Sequence, residues 1–130
     1  FYGSCHQAPF YPGTGAGHET GVAGNIVNVP LARGCESGTF RQRMADDLLP
    51  ALRRFEAELV IVSAGFDAHH QDPLGGLRLT DDDYHWITRE LMAVADASAG
   101  GRLVSVLEGG YSLEGLASGT AAHVRALMAA

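Results

Sequence analysis

Two apolar runs, Leu59 to Val62 and Leu103 to Leu107, each stop at a polar, glycine-containing segment. The first leads into Ser63-Ala64-Gly65-Phe66-Asp67 and the second into Glu108-Gly109-Gly110-Tyr111. Short continuous apolar runs bounded in this way fit strands buried on both faces, as in a parallel sheet. A third run, Asn25 to Leu31, sets Ile26, Val27, Val29 and Leu31 around Asn28 between Gly24 and Pro30, the pattern of a strand near a sheet edge. Helical periods fill the intervals. Thr39-x-x-Gln42 has the form of a capping box, and Phe40, Met44, Leu48, Leu52, Phe55 and Leu59 follow at helical spacing, with Pro50 expected to kink the helix. Thr80-x-x-Asp83 starts a second helix, with Asp81, Asp82 and Asp83 in its first turn, where the dipole favours negative charge; Tyr84, Ile87, Leu91 and Val94 share one face. Gly100-Gly101 ends that helix, and Ser112 caps a last one carrying Leu116, Val124, Leu127 and Met128.

Strand and helix thus alternate three times, which predicts an α/β fold, a parallel sheet with helices on both faces. Three strands would leave long edges unpaired, and the chain opens in strand-end-like sequence, Phe1-Tyr2-Gly3-Ser4, without Met. The expectation is therefore part of a longer domain.

Composition narrows the partners. With 46% hydrophobic residues, 130 residues suffice for a core. A formal net charge of -6, from 15 acidic against 9 basic residues, argues against direct nucleic-acid binding and tolerates a cationic substrate. No apolar run approaches the ~20 residues of a membrane span, and no basic n-region of a signal peptide opens the chain. Cys5 and Cys35 form no Cys-x-x-Cys pair. The expected setting is a reducing cytoplasm, with both cysteines structural.

Ligands of open parallel sheets collect at the carboxyl ends of strands, which makes Asp67 and Tyr111 candidates for one shared site. Residues 8–24, with Pro9, Pro12 and repeated glycines, read as a long ordered loop, and loops of that length are usually functional. Asp67-Ala68-His69-His70 offers metal-ligand types, but neighbouring histidines on a turn rarely converge on an ion faced by the strand-end acid. Asp67 is accordingly the candidate ligand or catalytic acid, and His69 and His70 are read as loop surface or support. Asp72-Pro73-Leu74-Gly75-Gly76 is a turn that Asp72 anchors. Tyr111 follows two glycines that allow close approach of a ligand, and its phenol suits donation to a developing oxyanion.

Ser63-Ala64-Gly65-Phe66-Asp67-Ala68 with Asp72-Pro73-Leu74-Gly75, then Glu108-Gly109-Gly110-Tyr111, and before both Phe10-Tyr11-Pro12-Gly13-Thr14-Gly15, resemble the zinc-dependent histone deacetylases. The likeness is closest to the class II type and to bacterial histone deacetylase-like amidohydrolases, and it runs across nearly the whole chain. It implies an arginase/deacetylase-like three-layer fold, incomplete here, with residues 1–130 the C-terminal part of a single deacetylase domain whose N-terminal part is missing. It implies removal of acetyl groups from lysine side chains in proteins or peptides, or from small acetylated amines. Asp67 matches the last of three protein zinc ligands, and Tyr111 the tyrosine that polarises the amide carbonyl. Tyr11 stands where the family usually has a phenylalanine lining the acyl-lysine tunnel, Leu74 matches a hydrophobe at its rim, and Gly109 and Gly110 shape its wall. Ser4 and the Cys5 carbonyl match one structural monovalent-cation site, for K+ or Na+, and the Asn25 carbonyl a second.

The histidine pair and the Asp-x-His motif of the family have no match among His6, His18, His69 and His70, so the isolated chain is expected to be inactive. Two alternatives stand beside this reading: an acetylpolyamine amidohydrolase, against which the absence of a carboxylate at Leu74 speaks, and an inactive relative that binds acylated ligands. A binuclear manganese hydrolase of the arginase type would need an acid where His69 follows Asp67. The alanine- and glycine-rich, lysine-poor composition suggests a bacterial source.

Overall fold

The computed structural model describes residues 1–129. Four strands form two parallel pairs: β1 (Tyr2–Gln7) with β2 (Ile26–Leu31), and β3 (Val60–Ala64) with β4 (Leu103–Leu107). The α/β expectation with parallel strands holds, and β1 adds a strand to the three read from the sequence. Val60 pairs with Leu103 and Ala64 with Leu107, so the two strands end side by side.

Between β2 and β3 lies one helical stretch in three parts, α1 (Ser37–Arg43), a π-helical segment (Met44–Leu48) and α2 (Leu49–Phe55). Here the structure corrects the sequence reading. The helix begins at Ser37, with Glu36 as N-cap, and not at a Thr39 capping box. Its irregularity falls before Pro50, which occupies the first turn of α2, where a missing N–H costs little. Phe40, Met44, Leu48, Leu49 and Leu52 point into the core, but Leu59 is outside the helix and half exposed.

Helix α3 (Asp81–Ser98) starts on the expected Thr80–Asp83 capping box. Helix α4 (Leu113–Met128) starts at Ser112, whose Oγ accepts from the Gly115 N–H at 3.1 Å. Its buried face carries Gly115, Gly119, Ala122, His123 and Ala126, whereas Val124 and Met128 are exposed. Small residues allow α4 to approach α3 and Phe66 closely, while Leu116 still packs on the core from the first turn. At this seam His123 is buried between Thr88 Oγ1 (2.7 Å) and Ser105 Oγ (2.8 Å). Thr88 spends its proton on the Tyr84 carbonyl, so the imidazole donates from Nδ1 and accepts at Nε2. Burial pulls the His123 pKa down.

Along β3 and β4, Val60, Val62, Leu103 and Ser105 face inward, and Ile61, Val104 and Val106 face out and are exposed. Among the described residues the helices thus cover one face of this pair. The two pairs share one hydrophobic core, and loops add hydrogen bonds between them. Gly76 N–H donates to Gln7 Oε1 at the end of β1 (2.7 Å), and the Gly76 carbonyl accepts from Gly34 N–H (2.7 Å). No helix among the described residues is long and apolar enough to cross a membrane.

Asp83, wholly buried, ties α1 to α3. Its carboxylate accepts from Ser37 Oγ (2.6 Å), Arg41 Nε (2.7 Å) and the Thr80 backbone N–H (2.9 Å). Burial works against its charge, but these donors outweigh burial and hold its pKa below the usual carboxylate value. Asp83→Ala should cost about 3 kcal/mol in urea unfolding at neutral pH, since the donors lose their acceptor. Because the folded-state pKa is depressed, the gap to wild type should be full above the unfolded-state pKa and close as pH falls through the folded-state pKa. A gap that is independent of pH would contradict this account.

Candidate active site

Beyond Ala64 and Leu107 the ladder runs on for two more bonds. Glu108 N–H donates to the Ala64 carbonyl (2.9 Å) and Phe66 N–H to the Gly109 carbonyl (2.6 Å). This extension brings Asp67 against Gly109. A Cβ at Gly109 would lie 2.5 Å from Asp67 Oδ2, so only glycine leaves room for the carboxylate. Asp67 is half buried, and among the described residues no Lys, Arg or His pairs with it. Burial raises its pKa, and the nearby carboxylates of Asp72 and Glu108 add to the rise against its own backbone hydrogen bond. A bound cation would relieve this unfavourable charge, so Asp67 fits the role of metal ligand.

Asp72 is the opposite case. Its Oδ1 accepts from Leu74 N–H and Gly75 N–H, both at 2.8 Å, and Oδ2 accepts from Tyr111 N–H at 2.9 Å. The sequence suggested the turn anchor but not the bond to Tyr111. Burial opposes ionisation here as well, yet the N–H groups of Gly75, Tyr111, Leu74 and Ser112 prevail and lower the pKa. Gly75 in turn packs on the Asp67 backbone, since a Cβ there would fall 1.9 Å from the Asp67 carbonyl oxygen. The turn therefore touches both strand-end motifs.

Tyr111 is 59% exposed and Leu74 equally so, both open to solvent beside the strand ends. Tyr11 is 92% exposed, so its ring is not packed into the wall formed by Gly109 and Gly110. The loop that carries it is nevertheless held. His6 Nε2 donates to the Gly15 carbonyl (2.8 Å), which leaves Nδ1 to accept from the Ser4 hydroxyl (2.9 Å). The Ser4 lone pairs stay available for a cation, and the Asn25 carbonyl has one bond, from Tyr2 N–H at 2.9 Å.

The two histidines after Asp67 stack ring on ring, centroids 4.4 Å apart, but differ in burial. His70 is exposed, whereas His69 is buried under α3 and α4, accepting from Gln71 N–H at Nδ1 (3.2 Å) and meeting Asp81 Oδ1 at Nε2 (3.2 Å). Ser118 Oγ donates to the same Asp81 oxygen at 2.8 Å. His69 thus supports the loop from below and is not at its surface. Among the described residues no group of three or more His, Cys, Asp and Glu could hold a metal ion.

The architecture defines a class, an α/β domain with an acid and a phenol just beyond neighbouring ends of parallel strands. The sequence matches the histone deacetylase domain over residues 1–127, and the chain belongs to that family. It is 42% identical over 133 residues to a chloroplastic histone deacetylase 10 of Oryza sativa, covering 98% of this chain and 30% of that protein. It is 41% identical over 113 residues to a histone deacetylase-like amidohydrolase of Pseudomonas aeruginosa, covering 84% of this chain and 30% of that protein. Among solved structures, the HDA15 HD domain superposes with a TM-score of 0.90 at 35% identity, and an acetylpolyamine aminohydrolase from Burkholderia pseudomallei with 0.86 at 30%. Each alignment covers 98% of this chain and 37% of the other, so the chain spans about a third of the length of these relatives.

Because its folded-state pKa is raised, Asp67 contributes stability below the unfolded-state pKa and loses it as pH rises through the folded-state pKa. Asp67→Asn should therefore raise the melting temperature of the metal-free protein at neutral pH, and the gain should vanish in acid. A lower melting temperature at pH 7 would mean that Asp67 is a structural acid.

Proposed function

We propose that the chain is the C-terminal part of a zinc-dependent deacetylase domain that removes acetyl groups from lysine side chains in proteins or peptides. The observation that carries this reading is the Asp67 carboxylate, without a basic partner, packed against the Gly109 strand end that leads to Tyr111. Asp67 supplies one of the three protein ligands that a catalytic zinc requires. The other two, and the general base, belong to the part of the domain upstream of Phe1, so the isolated chain is inactive on this reading. Zinc, when bound, supplies Lewis-acid polarisation and activation of water. The chain's own residues do the rest. The Tyr111 phenol donates a hydrogen bond to the oxyanion that develops on the amide carbonyl, Gly109 and Gly110 let the acyl group approach the backbone, and Tyr11 and Leu74 give the entrance an apolar lining. Ser4, the Cys5 carbonyl and the Asn25 carbonyl hold structural K+ or Na+, a role for which the Ser4 hydroxyl and the Asn25 carbonyl keep lone pairs. The two cysteines are free, which suits a reducing cytoplasm.

Likeness to the acetylpolyamine aminohydrolase keeps small acetylated amines as a second substrate class. Exposed Leu74 favours acetyl-lysine, because the rim there offers a polyamine cation no carboxylate.

In the complete domain Tyr111→Phe should lower kcat by roughly a hundredfold or more, the usual loss for one oxyanion donor, while zinc content is unchanged. Turnover of an acetyl-lysine peptide near the wild-type rate would sink the assignment, and faster turnover of acetylated polyamines than of peptides would favour the second class.

A further inference from the structure

The phenol of Tyr111 is useful only at a fixed distance from the metal-facing acid, yet little near it fixes that distance. Its side chain is mostly exposed, and it follows two glycines, the second with φ of 146°. Such a segment has wide backbone freedom unless something outside it holds it. The external hold visible in the structure is the bond from Tyr111 N–H to Asp72 Oδ2. The same carboxylate uses its other oxygen to close the turn at Leu74 and Gly75, and Gly75 leans on the Asp67 carbonyl.

We infer that Asp72 is a positioning residue for deacetylation: its carboxylate clamps the Tyr111 backbone to the turn that packs on Asp67, and so sets the phenol against the metal-facing acid. The inference rests on the deacetylase reading above. Asp72 itself touches neither substrate nor metal. Its two oxygens face backbone donors on two different segments, a geometry that Asn cannot reproduce, because an amide presents a donor to one of them. Displacement of the phenol by about 1 Å is enough to cost on the order of a hundredfold in rate. The Asp72 carboxylate also meets the backbone N–H of Ser112, the N-cap of α4, so a purely stabilising role is the rival explanation.

The rival is separable in the complete, zinc-loaded domain. Asp72→Asn should lower kcat by about ten- to a hundredfold with KM and zinc content close to wild type. In a Tyr111→Phe background the same substitution should change kcat by less than about threefold, since the group it positions is gone. An equal loss in both backgrounds, or a loss confined to KM, overturns the inference. Asp72→Ser serves as the second variant: its hydroxyl can still accept within the turn but is too short for Tyr111, so it should reproduce the kcat loss, and wild-type kcat would count against the clamp. The native protein gives a reading that needs no variant. The Tyr111 amide should be protected from hydrogen exchange, and exchange at the rate of an open loop overturns the clamp whether or not either variant folds. Full activity of Tyr111→Phe alone would remove the deacetylase reading instead, and the exchange result would still decide whether Asp72 holds the strand end.

Discussion

The parallel register of β3 and β4 is the constraint on which the site depends. Parallel strands that end level deliver their following residues to one edge of the sheet, and here the ladder continues through Ala64, Glu108, Phe66 and Gly109 before the chains part. Asp67 and Tyr111 are far apart in sequence, and no local preference would bring them together. Their proximity is a property of the sheet. Glycine at position 109 then removes the one steric obstacle between the acid and the opposite strand end.

Three carboxylates near this edge are buried to some degree, and the surroundings treat each differently. Asp83 is satisfied by side chains from α1 and the capping Thr80, and it joins helices. Asp72 is satisfied by backbone N–H groups and joins loops. Asp67 lacks a basic partner, and burial with like-charged neighbours makes its ionised form unfavourable. A fold that compensates two acids so fully and leaves the third uncompensated sets Asp67 apart from the other two, and this contrast is what supports the proposed metal-ligand role.

Much of this was legible in the sequence, and the failures have definite causes. Strand ends and the α3 start were readable because local signals, apolar runs and a capping box, agree with the tertiary fold. The start of α1 was misread because tertiary contacts of Asp83 with Ser37 and Arg41 anchor that end, and a local capping pattern says nothing of them. The exposure of Val124 and Met128 on α4 has a related cause. Close contact with α3 selects Gly119 and Ala122, so size, not hydrophobicity alone, decides which residues face inward. His69 and the bond from Asp72 to Tyr111 depend on long-range placement, and their only sequence trace is the turn-rich stretch that contains them. The motifs that carry the family resemblance, by contrast, are contiguous and needed no geometry to be seen.

Gly76 holds the two strand pairs through one donor and one acceptor, with Gln7 on one side and Gly34 on the other. No shared ladder locks β1–β2 to β3–β4 within these residues. The two pairs are joined instead by one continuous hydrophobic core, to which Val29 and Leu31 of β2, Phe40 and Met44 of the helical stretch and Val60 of β3 all belong. A change of side-chain volume in that core would therefore shift one strand pair against the other, while the direct ladder between β3 and β4 keeps their two ends level.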